Sequence, residues 1–261
     1  MSSNLHIEVQ GCGPDLVLLH GWSFSHVVWL DLAEALADKF TLHLVDLPGH
    51  GQSDLPAAGF TLEAVTAMLA QQLPVKAMYL GWSLGGQIAL NLALNHPERV
   101  EKLILVASNA QFVKSADWPD AMDPAVLVGF AENLEQDWQA TLQRFLALQA
   151  RGGDNARDTI KLLRSRLEGQ GAPQMAALRG GLEILRSASL LPRLAELRCP
   201  SLLFSGRLDA LVPKGAGPAM QVRIPGAQHV QFEHAAHAPF LSHPQEFLQV
   251  VQSFLESEHA G

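Results

Sequence analysis

The segment Gly81-Trp82-Ser83-Leu84-Gly85-Gly86 follows an apolar run at 77–80 and leads into a helical pattern at 83–95. G-x-S-x-G in a strand–turn–helix setting is a device for presenting a nucleophilic serine. The sharp turn projects Oγ from the end of the sheet, and the flanking glycines remove Cβ atoms that would collide there. A helix starting at Leu84 aims its first N–H groups at the negative charge that develops when a carbonyl is attacked. The chemistry such a serine performs is acyl transfer. It needs a base to take its proton and an acid to orient that base.

In this arrangement the acid and then the histidine follow the serine along the chain. Asp209 closes Gly206-Arg207-Leu208-Asp209, directly after the apolar run 201–205. A turn aspartate capping a helix is the plainer alternative, but position and order favour the orienting acid. Of the 11 histidines, only His229, His234, His237, His243 and His259 come after it. His243 precedes Pro244 and reads as the entry to the last helix, His259 lies near the end of the chain, and His229 falls within a strand pattern at 222–232. His234 is the competitor, three residues from His237. His237 is preferred because Pro239 and Phe240 anchor its loop. The expected triad is Ser83, Asp209 and His237.

A second apolar run ends in Leu18-Leu19-His20-Gly21-Trp22. The backbone N–H groups of Trp22 and Leu84 would form an oxyanion hole, each donor worth about 3–4 kcal/mol in the transition state. His20 precedes Ser83 and reads as a structural histidine of its loop. Asp46-Leu47-Pro48-Gly49-His50-Gly51-Gln52-Ser53 reads as a rigid turn with an architectural role. No HExxH or comparable cluster of ligands occurs, so neither a metal nor a cofactor is expected.

These residues need a scaffold that gathers chain ends on one edge. Short continuous apolar runs at 16–20, 42–46, 78–81, 103–107 and 202–205 read as buried parallel strands. Amphipathic stretches at 26–38, 62–72, 83–95 and Pro244–Glu256 alternate with them. The alternation predicts an α/β fold, a doubly wound and mostly parallel sheet. Early strands recur every 25–35 residues, yet more than ninety residues separate Ala107 from Leu202. Segment 110–190 has helical runs at 124–132, 134–149 and 155–167 and no strong strand signal. It is expected to be a helical lid inserted between two strands, over a core of 1–109 and 191–261. Of its apolar residues, Phe130, Leu134, Trp138, Phe145, Leu146 and Leu148 are expected mostly to pack the lid on the core.

The chain has 261 residues, 48% of them apolar, and a net charge of -8, which excludes a general nucleic-acid binder. Two distant cysteines, Cys12 and Cys199, make neither a disulfide framework nor a zinc site, and Cys199 reads as a packed core thiol. No apolar stretch reaches the ~18 residues of a membrane span, and the N-terminal residues carry no leader pattern. A cytoplasmic monomer with no membrane partner is the expectation.

The sheet motifs together resemble those of many α/β-hydrolases, which implies that fold and no more. Serine at position 83 excludes the relatives of that fold that use an aspartate there, the haloalkane dehalogenases and epoxide hydrolases. The resemblance narrows further over nearly the whole chain. GWSLGG at 81–86, LLHGW at 18–22, TLHLVDLPG at 41–49, RFLALQ at 144–149, GGLEIL at 180–185 and AAHAPF at 235–240 resemble the pimeloyl-[acyl-carrier protein] methyl ester esterases of biotin synthesis. The two motifs in the insertion carry the narrower assignment, because hydrolases differ most there. The resemblance implies a serine carboxylesterase that cleaves the methyl ester of a carrier-linked dicarboxylate and releases methanol. It implies a substrate site lined by Trp22, Ser83, Leu84, Phe145, Leu146, Ala147, Leu148, Gln149 and His237.

The insertion also carries charge of the right sign. Residues 140–170 hold six basic and three acidic residues within an acidic chain. Arg157, Lys161 and Arg164 fall on one helix face, with Arg144 nearby. Acyl carrier proteins are acidic, so this face is expected to dock one; a solvated face with local ion pairs is the alternative. Two other functions remain open from the residues: a broad-specificity carboxylesterase or C–C bond hydrolase of the same fold, and a non-catalytic ligand-binding module built on it.

Overall fold

Residues 3–257 are described in a computed structural model. Seven strands form one sheet: β1 (Ile7–Gly11), β2 (Asp15–Leu19), β3 (Thr41–Val45), β4 (Ala77–Trp82), β5 (Val100–Val106), β6 (Ser201–Gly206) and β7 (Gln228–Phe232). Their spatial order is β1-β3-β2-β4-β5-β6-β7. β1 runs antiparallel to β3 and every other pairing is parallel. β4 and β6 are buried along their whole length, as strands covered on both faces must be. β1 was not expected. It is an edge strand of mixed burial, and Glu8 and Gln10 interrupt its apolar residues.

Helices α1 (Leu30–Leu36), α2 (Leu62–Gln72) and α3 (Leu84–Asn95) connect the early strands. Thr61 starts α2, its Oγ1 accepting the Ala64 N–H at 3.1 Å. Between β5 and β6 stand α4 (Pro124–Gln136), α5 (Trp138–Leu148), α6 (Ala156–Leu167) and α7 (Met175–Ser187). The run expected at 134–149 is broken at Asp137, whose carboxylate caps α5 by accepting the Ala140 N–H at 3.0 Å. α8 (Ala216–Arg223), α9 (Pro239–Ser242) and α10 (Pro244–Glu256) complete the chain. The strand pattern expected at 222–232 is corrected at its start. Val222 lies exposed in the last turn of α8, Pro225-Gly226 turns with Gly226 at φ 68°, and only Gln228–Phe232 joins the sheet.

Register fixes what meets at the sheet's edge. Leu19 pairs with Gly81, Trp82 with Val106, and Gly206 with Phe232. The loops after β2, β4, β6 and β7 therefore leave one carboxyl edge, where open α/β sheets build their sites. The four helices between β5 and β6 lie over those loops. The Gln174 N–H donates to Gly49 O at 2.8 Å, the Asp154 N–H to His234 O at 3.2 Å, and the Trp22 indole N–H to Leu178 O at 2.8 Å. Two glycines let α7 approach this closely. A Cβ on Gly180 would stand 2.4 Å from Phe60 O, and one on Gly181 would stand 2.6 Å from Trp22 Cδ1. Within the layer Leu134, Phe145 and Leu146 are buried, and Phe130, Trp138 and Leu148 are half-buried. Cys199 is half-buried rather than a core residue, and Cys12 is exposed; both are free thiols.

Candidate active site

Ser83 occupies the turn between β4 and α3 at φ 55°, ψ -117°. A non-glycine residue pays for such a backbone with strain, so the surroundings must enforce it. They do so by hydrogen bonds at both ends of the residue. The Ser83 N–H donates to Val106 O at 2.9 Å, and Ser83 O accepts from the N–H groups of Gly86 and Gln87 and from Ser108 Oγ. The glycines are required by close approach. A Cβ on Gly81 would lie 2.5 Å from Gly85 O, and a Cβ on Gly85 would lie 2.4 Å from His20 O.

His237 and Asp209 stand at the same edge. His237 Nδ1 lies 2.7 Å from Asp209 Oδ2, with both side chains buried. The other oxygen, Oδ1, accepts the N–H groups of Leu211 and Val212 at 2.7 and 2.9 Å. Asp209 is thus held as an acceptor and the His237 proton sits on Nδ1. Nε2 is left with an open lone pair; it is buried and without a hydrogen-bond partner among the described residues. The loop itself is pinned from two sides. The Trp82 indole N–H donates to His237 O at 2.8 Å, and the His237 N–H donates to Gln149 O at 2.9 Å.

The competing histidines are engaged elsewhere. His229 Nε2 bonds Ser205 Oγ beneath α8, where a Cβ on Gly217 would lie 2.3 Å from it. His234 faces Asp154 at 3.2 Å on the surface. His243 precedes α10, its Nδ1 2.8 Å from Ser242 Oγ. His259 lies outside the described residues.

The loop bearing Trp22 passes beside Ser83: a Cβ on Gly21 would stand 3.4 Å from Ser83 Cβ. Leu84 is the first residue of α3, so its N–H has no intrahelical acceptor. The Leu84 N–H is therefore at the elbow, and the loop bearing Trp22 runs beside it. His20 braces the Trp22 loop. Its Nε2 accepts the Leu47 N–H at 2.9 Å, which puts the proton on Nδ1, 2.8 Å from Gly21 O. Burial, reinforced by the neighbouring His50, brings the His20 pKa down to about 3, and burial lowers His50 to about 4. Asp46 ties the loop to β3 by accepting the N–H and Nδ1–H of His26, each at 2.8 Å, and the N–H of Gln52 at 3.0 Å. Burial works against its charge, yet the His26 bonds prevail and hold it at about 2.

The helical residues expected in the substrate site differ in burial. Phe145 and Gln149 are buried, and Phe145 packs edge-on against Trp22 with ring centroids 4.8 Å apart. Leu146 is buried towards α6, Leu148 is half-buried and Ala147 is exposed. Five consecutive residues of a helix cannot share one face. Arg144, Arg157, Lys161 and Arg164 are exposed and form no ion pair among the described residues, whereas Arg166 turns back to Asp31. Two participants had no signal as isolated residues: Phe24, whose ring packs tilted against Trp82 with centroids 4.8 Å apart, and Gly181, whose role depends on how α7 docks.

The family model of the alpha/beta hydrolase fold matches residues 14–244. An esterase from Exiguobacterium antarcticum superposes with a TM-score of 0.88 at 25% identity, over 98% of this chain and 96% of that one. An enol-lactonase from Burkholderia xenovorans superposes at 0.86 with 23% identity, over 98% of this chain and 97% of that one, a likeness of fold. The decisive likeness is of sequence. A pimeloyl-[acyl-carrier protein] methyl ester esterase from Aeromonas hydrophila is 46% identical over 97% of this chain and 99% of its own length. One from Nitrosomonas europaea is 47% identical over 94% and 97%. The chain belongs to the pimeloyl-[acyl-carrier protein] methyl ester esterase family of α/β-hydrolases. Membership makes it an ester hydrolase. RFLALQ and GGLEIL lie at contacts of α5 and α7 with the serine's surroundings, through Phe145 and Gln149 and through Gly181.

Proposed function

We propose that this chain hydrolyses the methyl ester of pimeloyl-acyl-carrier protein in biotin synthesis, with Ser83 as nucleophile, His237 as general base and acid, and Asp209 as the acid that orients it. The observation that carries the mechanism is the His237 ring, bonded through Nδ1 to a doubly anchored Asp209 and open at Nε2. Ser83 Oγ attacks the ester carbonyl carbon as its proton passes to Nε2. The N–H groups of Trp22 and Leu84 receive the oxyanion. As the tetrahedral adduct collapses, the methoxy oxygen takes the proton from Nε2 and leaves as methanol. Water then attacks the acyl-serine by the same route, releasing the carboxylate and restoring Ser83. No step calls on a group other than these side chains, the backbone and water.

In this reading the helices at 110–190 are a lid over the core formed by 1–109 and 191–261. Trp22, Phe145, Gln149 and the triad line the acyl site, and Arg144, Arg157, Lys161 and Arg164 form the face that docks the acidic carrier. Their exposure and lack of ion-pair partners support that role. The protein is taken as a cytoplasmic monomer; no helix among the described residues is long and apolar enough to cross a membrane. The test compares kcat/KM for the carrier-linked methyl ester with that for a free short methyl ester. A strong preference for the carrier-linked substrate that is lost in Arg157→Glu/Lys161→Glu is expected. Equal turnover of both would indicate a broad carboxylesterase instead.

A further inference from the structure

Three segments far apart in the chain meet beside the end of β3. His6 directly precedes β1, Asp46 directly follows β3, and His26 opens a short 3-10 turn at His26–Trp29. Their spacing in the sequence matches no ligand motif; the fold brings them together. The backbone fixes two of them side by side: the Asp46 N–H donates to His6 O at 3.0 Å, and Ser53 Oγ accepts the His6 N–H at 2.8 Å. The imidazole rings of His6 and His26 lie with centroids 5.1 Å apart. One donor atom from each of His6, His26 and Asp46 stands within 4.8 Å of the other two. Among the described residues no other three histidine, cysteine or acidic side chains converge in this way. In His6-Ile7-Glu8 the alternation of an extended chain puts the first and third side chains on one face, and Glu8 Oε2 reaches to 3.3 Å from His26 Nε2.

The chemistry of this group points to a metal ion. His26 donates Nδ1–H to Asp46 Oδ1 at 2.8 Å, which leaves the Nε2 lone pair directed towards Glu8. A carboxylate behind an imidazole orients a histidine ligand and raises its basicity. Ligands about 2.0–2.1 Å from a tetrahedral Zn²⁺ stand about 3.3 Å from one another, which is the present separation of His26 Nε2 and Glu8 Oε2. The His6 ring has to move by only about 1–2 Å to reach that spacing. It is half-buried, and the contact that holds it is a long one, 3.5 Å from Gln52 Nε2. Charge agrees: two carboxylates beside two neutral imidazoles match a divalent cation. Imidazole donors favour Zn²⁺ and its neighbours in the first transition row over Mg²⁺ or Ca²⁺. Glu8 and His6 are on the solvent side of buried His26 and Asp46, so an ion can enter past them.

We propose that His6, Glu8 and His26, with Asp46 holding His26 from behind, bind one divalent transition-metal ion of the Zn²⁺ type. The ion takes no part in ester hydrolysis. It fastens the edge strand β1 to the turn after β2. The test titrates Zn²⁺ into the full-length, tag-free, metal-stripped protein at pH 8, where the imidazoles are neutral, and follows binding by calorimetry and stability by thermal unfolding. Binding of one ion per chain is expected. Tm should rise by about 5–10 °C when free Zn²⁺ exceeds Kd about 100-fold, and Mg²⁺ should not raise it. His6→Ala and Glu8→Gln alter half-buried side chains at the rim, and each should weaken Kd at least about tenfold. Hydrolysis of p-nitrophenyl butyrate by the metal-stripped variants should equal that of the parent. Absence of saturable Zn²⁺ binding would overturn the proposal and leave His26 with a proton shared between Asp46 and Glu8. Binding that both variants leave unchanged would place the ion elsewhere and overturn it as well. An equal rise in Tm with Mg²⁺ would show carboxylate binding alone, which also contradicts an imidazole site.

Discussion

Replacing Gly181 by alanine tests whether α7 holds the loop bearing Trp22, the proposed oxyanion loop, in place. The added Cβ would stand 2.6 Å from Trp22 Cδ1, 3.1 Å from Trp22 Nε1 and 3.2 Å from Leu84 Cδ2. Carbon atoms rest at about 3.5–4.0 Å, so helix and indole must separate by about 1 Å. Overpacking of this kind costs about 1–3 kcal/mol. The 2.8 Å bond from the Trp22 indole to Leu178 O is stretched at the same time, a loss of about 1 kcal/mol. Alanine's better helix propensity returns about 1 kcal/mol. The net loss of about 1–3 kcal/mol corresponds to a Tm lower by about 3–10 °C. The larger consequence is for rate, because the displaced residues carry both proposed oxyanion donors. A misplacement of about 1 Å can cost about 10²-fold. Thermal unfolding and kcat for a p-nitrophenyl ester, measured on the same preparation, report the two effects. A Tm that falls while kcat is intact would refute the link between α7 and the oxyanion loop. No change in either would refute the packing argument itself.

The remaining predictions concern the acid, the backbone and pH. Asp209→Asn should lower kcat by about 10⁴-fold. The asparagine oxygen must face the N–H groups of Leu211 and Val212, so its NH₂ faces His237 Nδ1 and drives the proton to Nε2; a loss below tenfold in a kcat assay would contradict the tautomer argument. Gly129→Ala in α4 should stabilise the protein by about 0.5–1 kcal/mol, because a Cβ there meets nothing within 4 Å; an unfolding midpoint that falls would contradict it. Stability should decline as pH drops below about 6.5. His20 and His50 are kept neutral by burial to about 3 and 4. The unfolded chain therefore takes up protons that the folded chain refuses, at about 1.4 kcal/mol per pH unit for each. Urea midpoints between pH 7.5 and 5 check this, and a flat profile would contradict it.

Sequence pattern reveals most where burial is on both faces. The runs that became β2, β3, β4, β5 and β6 are nearly continuous and apolar, and each was visible within a few residues of its true bounds. The edge strand β1 was hidden by Glu8 and Gln10 and by a solvent-facing Val9. Val222 drew the last strand too far back, because a β-branched residue on an exposed helix turn looks the same in sequence as one in a strand. At the site, chain order selects Asp209 and narrows the base to the histidines that follow it, and the fold brings His237 to 2.7 Å from Asp209. Order alone could not separate His237 from His234; the pinning of one loop by Trp82 and Gln149 does that. The helical layer was least legible. Gly180 and Gly181 look like helix breakers until their contacts with Phe60 and Trp22 are known, and the direction of Ala147 depends on how α5 is rolled.

The central claim is that Ser83 carries the hydrolysis of a carrier-linked methyl ester. The most direct measurement is methanol release from pimeloyl-acyl-carrier protein methyl ester by the parent enzyme and by Ser83→Ala under identical conditions. The account predicts many turnovers for the parent and a rate lower by about 10⁶-fold for the variant. A variant that retains more than about a hundredth of the parent rate, with its fold intact, would contradict it.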